Sequence, residues 1–104
     1  MGKHFLHIIL LIIFIGSDVS GMKVTEVSNP VNADLKVYVT AIRSEADLIV
    51  FFVSDPGFSN APGLWYLEND VNLSDTTIYY VQDRLSSDLV IYITNTKSEA
   101  GKSK

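Results

Sequence analysis

Four aspartates, Asp34, Asp47, Asp75 and Asp88, stand at regular intervals in this 104-residue chain, each behind a small residue: Ala33, Ala46, Ser74 and Ser87. Paired carboxylates are the working groups of glycosidases, one acting as acid and the other as base or nucleophile. The row therefore admits a small carbohydrate-active enzyme. A structural role fits the pattern better. An Asp behind a small residue at the entrance to a strand accepts hydrogen bonds from nearby backbone N–H groups. A side chain repeated in every unit serves what every unit shares, which is backbone geometry.

Other candidates divide in the same way. Asp55, Glu68, Asp70 and Asp83, with Asn69, Asn72 and Asn95, offer oxygens to a calcium ion, which takes about six to eight such ligands. The spacing of a calcium-binding EF-hand loop is missing, and turn formation accounts for the same residues. Tyr38, Tyr66, Tyr79 and Tyr92 beside Trp65 form an aromatic row, suited to stacking on a sugar or gripping a protein partner. The preferred reading is a second packed layer where strand units wrap one another. Ser86-Ser87 has no histidine or lysine in a motif context to activate it, and no Gly-x-Ser-x-Gly elbow occurs.

Composition removes further chemistries. There is no cysteine, hence no disulfide, thiolate catalysis or Cys-ligated metal. The net charge of −4 offers no footprint for nucleic acid. Both histidines, His4 and His7, lie in an N-terminal segment that reads as a secretory signal. There Lys3 precedes an apolar run, Phe5 to Ile15, that is interrupted by His7 alone. The run is shorter than the roughly 18 apolar residues that a spanning helix needs, and matches the h-region of an export signal. Cleavage after Gly21 would leave Met22 as the mature N-terminus, with no histidine in the mature chain. The competing reading is an uncleaved anchor or a short apolar core element. No catalytic, cofactor-binding or metal-ligating residue is assigned, and no cofactor is expected.

The elements that carry these residues follow from a repeat. With Asp34 as anchor, the unit recurs at Asp47, Pro62, Asp75, Asp88 and Gly101, at spacings of 13, 15, 13, 13 and 13 residues. Four residues past the first five anchors the side chain is aromatic: Tyr38, Phe51, Tyr66, Tyr79 and Tyr92. Lys23-Val24 aligns with Lys36-Val37, so a divergent first unit opens the mature chain. Each unit begins with period-two alternation, the mark of a strand. Leu35, Val37, Val39, Leu48, Val50, Phe52, Trp65, Leu67, Ile78, Tyr80, Leu89, Ile91 and Ile93 occupy the expected core face. Only Ile49, Phe51 and Val53 make a unit apolar on both faces, which marks a strand covered on both sides. The connectors are turn-rich and long enough for one helical turn at most.

Lys36-Val37-Tyr38-Val39-Thr40 followed by Arg43-Ser44-Glu45-Ala46-Asp47, and Val90-Ile91-Tyr92-Ile93-Thr94 followed by Lys97-Ser98-Glu99-Ala100, give the chain a further likeness. With Gly63-Leu64-Trp65-Tyr66 between them, they resemble the seven-crossing, or septoil, knot domain family of small bacterial proteins. The resemblance spans about residues 22 to 101 and implies a β-rich domain whose backbone forms a torus knot. It supplies no catalytic residues. Pro62 in place of the anchor aspartate, and the longer connector through Asp55-Pro56-Gly57, depart from the pattern and bear on the register of the middle crossing.

The expectation is an all-β domain of five to six short strand repeats with one-turn connectors, knotted. It comprises a signal peptide at residues 1–21, the β-repeat domain at 22–101 and a solvated tail at 102–104. The expected function is that of an exported, secreted or periplasmic, non-enzymatic interaction or structural module with a protein or glycan partner, and with no membrane span once the signal is removed. The alternative is a small carbohydrate-active enzyme, or a sugar- or calcium-binding module, using the repeated aspartates and tyrosines.

Overall fold

The structure is a computed structural model that describes residues 21–102. The expected leader, Gly21 excepted, lies outside the described residues, as do Ser103 and Lys104. Seven strands run in chain order: β1 (Met22–Glu26), β2 (Leu35–Val39), β3 (Leu48–Val53), β4 (Leu64–Leu67), β5 (Thr76–Tyr80), β6 (Leu89–Ile93) and β7 (Gly101–Lys102). A single-turn 3-10 helix sits between each strand and the next, and no α-helix occurs among the described residues. The all-β class, the strand repeat and the one-turn connectors are those read from the sequence, and β1 is the divergent first unit. The final strand claims Lys102, which pairs with Leu48. The domain therefore runs one residue past the expected boundary.

Strands β1 to β6 are all parallel. They lie in the order β4-β1-β5-β2-β6-β3, and β3 pairs again with β4, so the sheet closes into a barrel without an open edge. β7 enters antiparallel beside the start of β3, while the end of β3 pairs directly with β4. Counting β7 between β3 and β4, every connection in the chain passes one strand and lands on the next. The strands thus form the inner wall of a ring, the connectors return along its outer wall, and the path advances two places in seven each time. That is the winding of a torus knot with seven crossings, the path implied by the resemblance. Parallel neighbours always need such a crossover, and here a turn of 3-10 helix supplies it in place of the usual α-helix.

The core is built by one position of the repeat. Val24, Val37, Val50, Trp65, Ile78 and Ile91, one from each barrel strand, are the largest fully buried side chains. Their burial stabilises the fold by about 1.5–3 kcal/mol for each aliphatic member. Leu35, Leu48, Leu89 and Met22 pack beneath them, and Phe52 and Tyr80 above. The layers are staggered: on β5, Ile78 stands opposite Glu26 of β1 on one side and Leu35 of β2 on the other. Strong stagger tilts the strands and widens a barrel of few strands, which makes room for Trp65. Three residues expected in the core are not there. Val39, Leu67 and Ile93 are 40%, 50% and 40% exposed, because each is the last inward-facing residue of its strand and nothing lies above it. On the outer face, Ile49 and Val53 of β3 are buried, as the doubly apolar pattern requires.

Connector geometry also follows from residue type. At four of the six 3-10 helices an N-cap side chain, Asn29, Asp55, Asp70 or Asp83, accepts the N–H two residues on, at 2.8 to 3.1 Å. The other two caps are Ile42 and Thr96, which make no such bond. There the hydroxyls of Thr40 and Thr94 accept the backbone N–H of Ile42 and Thr96 instead. Connectors are tied sideways by Arg84 to Glu45 at 3.0 Å and by Arg43 to Glu99. Glu99 also accepts from the Thr94 hydroxyl. The Arg43 hydrogen bond, with the Thr94 bond second, holds the Glu99 carboxyl below its ordinary range.

The seam around β4 is closed by glycine. Gly63 has φ of +85°, and a Cβ there would lie 2.4 Å from both the Gly101 nitrogen and the Ile49 oxygen. A Cβ on Gly21 would lie 2.0 Å from the Leu64 oxygen. Replacing Gly63 by Ala should cost at least the roughly 1–3 kcal/mol of a strained positive-φ residue, with the backbone clash added. A guanidinium midpoint equal to that of the parent would refute this account of the seam.

Candidate functional site

The four anchor aspartates open β2, β3, β5 and β6, and each grips the neighbouring strand twice. The N–H of Asp47 donates to the Val90 carbonyl at 2.7 Å, while the Val90 N–H donates to Asp47 Oδ2 at 2.9 Å. Asp75 is bonded in the same way to Lys23, and Asp88 to Lys36, each with 2.7 Å to the carbonyl and 2.8 Å to the carboxylate. Asp34 holds Thr77 through backbone and carboxylate, and the Thr77 hydroxyl also donates to Asp34 Oδ2 at 3.1 Å. In ring order these clamps join β1 to β5, β5 to β2, β2 to β6 and β6 to β3. The carboxylates therefore act as acceptors for backbone N–H groups at strand entrances, the role that the sequence pattern favoured.

Connector acids fall out similarly. Asp55, Asp70 and Asp83 are N-caps, and the Glu68 carboxylate accepts from the Asp70 N–H at 3.1 Å. No group of three or more His, Asp or Glu side chains suited to a metal ion occurs among the described residues. Ser87 donates its hydroxyl to the Arg84 carbonyl, and Ser86 lies 3.5 Å from the Asp83 carboxylate. In the aromatic row Tyr38, Tyr66, Tyr79 and Tyr92 are half-buried on the outward face of their strands, whereas Trp65 points inward and is 1% exposed. The row is thus divided between two faces. Arg43 covers one of its rings, lying 5.2 Å from the centroid of Tyr92.

What the fold gathers instead is a mouth. Because all six barrel strands are parallel, their carboxyl ends meet at one end of the barrel. The last inward position of each strand is, in ring order, Glu26, Tyr80, Val39, Ile93, Phe52 and Leu67. Phe52 packs edge-on against Trp65, centroids 6.3 Å apart, and with Tyr80 roofs the core. Val39, Leu67 and Ile93 project into solvent around them. Burial, and secondarily the nearby Glu26 charge, push the Tyr80 hydroxyl above its ordinary pKa. Sequence reasoning passed over Glu26. The repeat contained the signal, since Glu26 lies 13 residues before Val39 and so shares its column.

A second feature is slighter. Ala61, Pro62, Leu64, Lys97, Ser98 and Ala100 line a wide-open depression of about 420 Å³ beside β4. Its one charged residue, Lys97, lies over the Phe58 ring, 5.4 Å from the centroid.

Among known proteins, the model of one family, the 7(1) septoil knot domain, matches residues 21–103. No curated protein and no solved structure matches.

Two measurements test this geometry. Asp47→Ala should cost about 1.5–3 kcal/mol, the range for a charge-assisted hydrogen bond. Asp47→Asn, which keeps an acceptor oxygen, should cost less, and Asp88→Ala should be milder because its bond is exposed where that of Asp47 is half-buried. Equal midpoints for parent and Asp47→Ala would remove the clamp from the account. Tyr80, raised in the folded state, contributes stability that is complete below the ordinary tyrosine pKa and is lost as pH rises through the folded value. Spectrophotometric titration should show a late-ionising component that is missing in Tyr80→Phe and brought only partly down by Glu26→Gln, since burial is the larger cause.

Proposed function

The chain belongs to the septoil knot domain family, and we propose that it works outside the cytoplasm as a non-enzymatic interaction or structural module. The observation that carries this reading is the engagement of all four recurring aspartates, the best catalytic candidates in the sequence, by backbone N–H groups of neighbouring strands. A carboxylate fixed in that way serves the barrel. The mouth leaves Val39, Leu67 and Ile93 accessible together, which gives it the character of a contact surface.

Export rests on the sequence: a basic residue, an apolar run too short to span a bilayer, and small residues up to Gly21. No helix among the described residues is long and apolar enough to cross a membrane. Outside the cell a protein without disulfides depends on its unfolding rate to survive proteases. A closed parallel barrel whose chain must be drawn back through its own windings has few ways to open in part. Slow unfolding is the property that this architecture supplies to such a module.

The test is kinetic. Diluted into guanidinium above its midpoint, the protein should unfold far more slowly than an unknotted small β domain, and it should resist a broad-specificity protease under native conditions. Complete unfolding within seconds, together with rapid proteolysis, would overturn the reading.

A further inference from the structure

The two ends of the barrel differ in charge as well as in cover. At the amino end of the strands the carboxylates are held by backbone N–H groups, and Lys23, Lys36 and Lys102 stand beside them. At the carboxyl end, the last residue of each strand core column and the three that follow it comprise residues 26–29, 39–42, 52–55, 67–70, 80–83 and 93–96. These contain Glu26, Asp55, Glu68, Asp70 and Asp83 and not one lysine or arginine. The nearest bases are engaged elsewhere: Arg84 with Glu45, Arg43 with Glu99, and Lys97 over Phe58. Inside this acidic rim lie five apolar or aromatic side chains, of which Val39, Leu67 and Ile93 are substantially exposed.

We propose that this mouth docks an apolar peptide segment bearing lysine or arginine, contributed by a partner protein. The inference rests on the non-enzymatic reading above and gives it a surface and a partner chemistry. Val39, Leu67 and Ile93 would bury apolar side chains of the segment against the roof formed by Phe52 and Tyr80. Glu26 is the one charge in the ring of last inward residues and would meet a cationic side chain of the segment, with Asp55, Glu68, Asp70 and Asp83 drawing further positive charge to the rim. Opposite charges across a contact raise the encounter rate and reject partners of the wrong sign. The same rim repels an anionic lipid surface, so an amphipathic peptide suits the mouth where a membrane does not.

The chain has a single tryptophan, Trp65, in edge contact with Phe52 of the mouth, so its fluorescence reports occupancy. The purified protein would be titrated with a synthetic peptide of alternating leucine and lysine, and with its counterpart carrying glutamate for lysine, with calorimetry alongside. The lysine peptide should give a saturable signal that weakens as salt is raised, and the glutamate peptide none. Leu67→Ser and Glu26→Lys change exposed residues and should each weaken binding by about tenfold, the loss expected for one apolar or one charged contact. Equal binding of both peptides, or variants that bind as the parent does, would overturn the proposal. So would sedimentation showing that the parent self-associates and that Leu67→Ser is monomeric, since a second copy would then be the occupant. Failure here leaves the unfolding rate untouched, so the two readings fall separately.

Discussion

Everything in this fold depends on the two-way clamp between a strand-opening aspartate and the strand beside it. Parallel strands joined by short connectors have no hairpin to set their register, and each connection here passes over another strand before pairing. The residues paired by Asp34 and Asp47 lie 43 positions away, and those paired by Asp75 and Asp88 lie 52 away. Contacts of such separation are made only after a long loop has been closed, at an entropic cost that local structure does nothing to recover. A carboxylate and an N–H from one residue, engaging the C=O and N–H of one partner, fix the register at the first rung. A slip of one residue would turn every inward Val and Ile out to solvent. Four such clamps in succession bind five neighbouring strands.

The clamp also explains where the repeat breaks. Laid in the anchor column, the seven units read Gly21, Asp34, Asp47, Pro62, Asp75, Asp88 and Gly101. The departures belong to β1, β4 and β7, the strands that meet around β4, where the chain enters and leaves the barrel. There the backbones come too close for a side chain at Gly21 and Gly63, while Gly101 takes a φ of +124° that side chains disfavour. Seven places must close with six full strands, and the two-residue expansion before Pro62 lets β4 pair directly with the end of β3 while β7 fills the gap at its start.

Much of this was legible because a repeat multiplies weak signals. One Val-x-Val alternation says little, but Val24, Val37, Val50, Trp65, Ile78 and Ile91 in a single column identify the buried layer, and all six are buried. Aspartate at four anchors spoke for a backbone role over catalysis, and its bonds are to backbone. The strand order was not legible in the residues. Every unit carries nearly the same face, so the pattern is blind to which unit lies beside which; the winding came from the likeness to a family. The exposure of Val39, Leu67 and Ile93 was hidden for a related reason. Alternation tells which side of a strand a residue faces and nothing of how far the neighbouring layers extend above it. Glu26 escaped notice because the first unit was aligned only through Lys23-Val24.

The columns also differ in how much they vary, and that difference carries the functional argument. Positions that serve the winding vary little: aspartate at all four clamps, an apolar side chain throughout the buried layer. The mouth column reads Glu26, Val39, Phe52, Leu67, Tyr80 and Ile93, an acid, two aromatics and three aliphatics of different shape. A ring required only to plug the barrel has no use for a charge, yet Glu26 stands exposed in this one. The repeat supplies symmetry everywhere that the barrel needs it. Where the carboxyl ends of the strands converge that symmetry is relaxed, and an irregular surface with one charge in it can recognise something that is itself irregular.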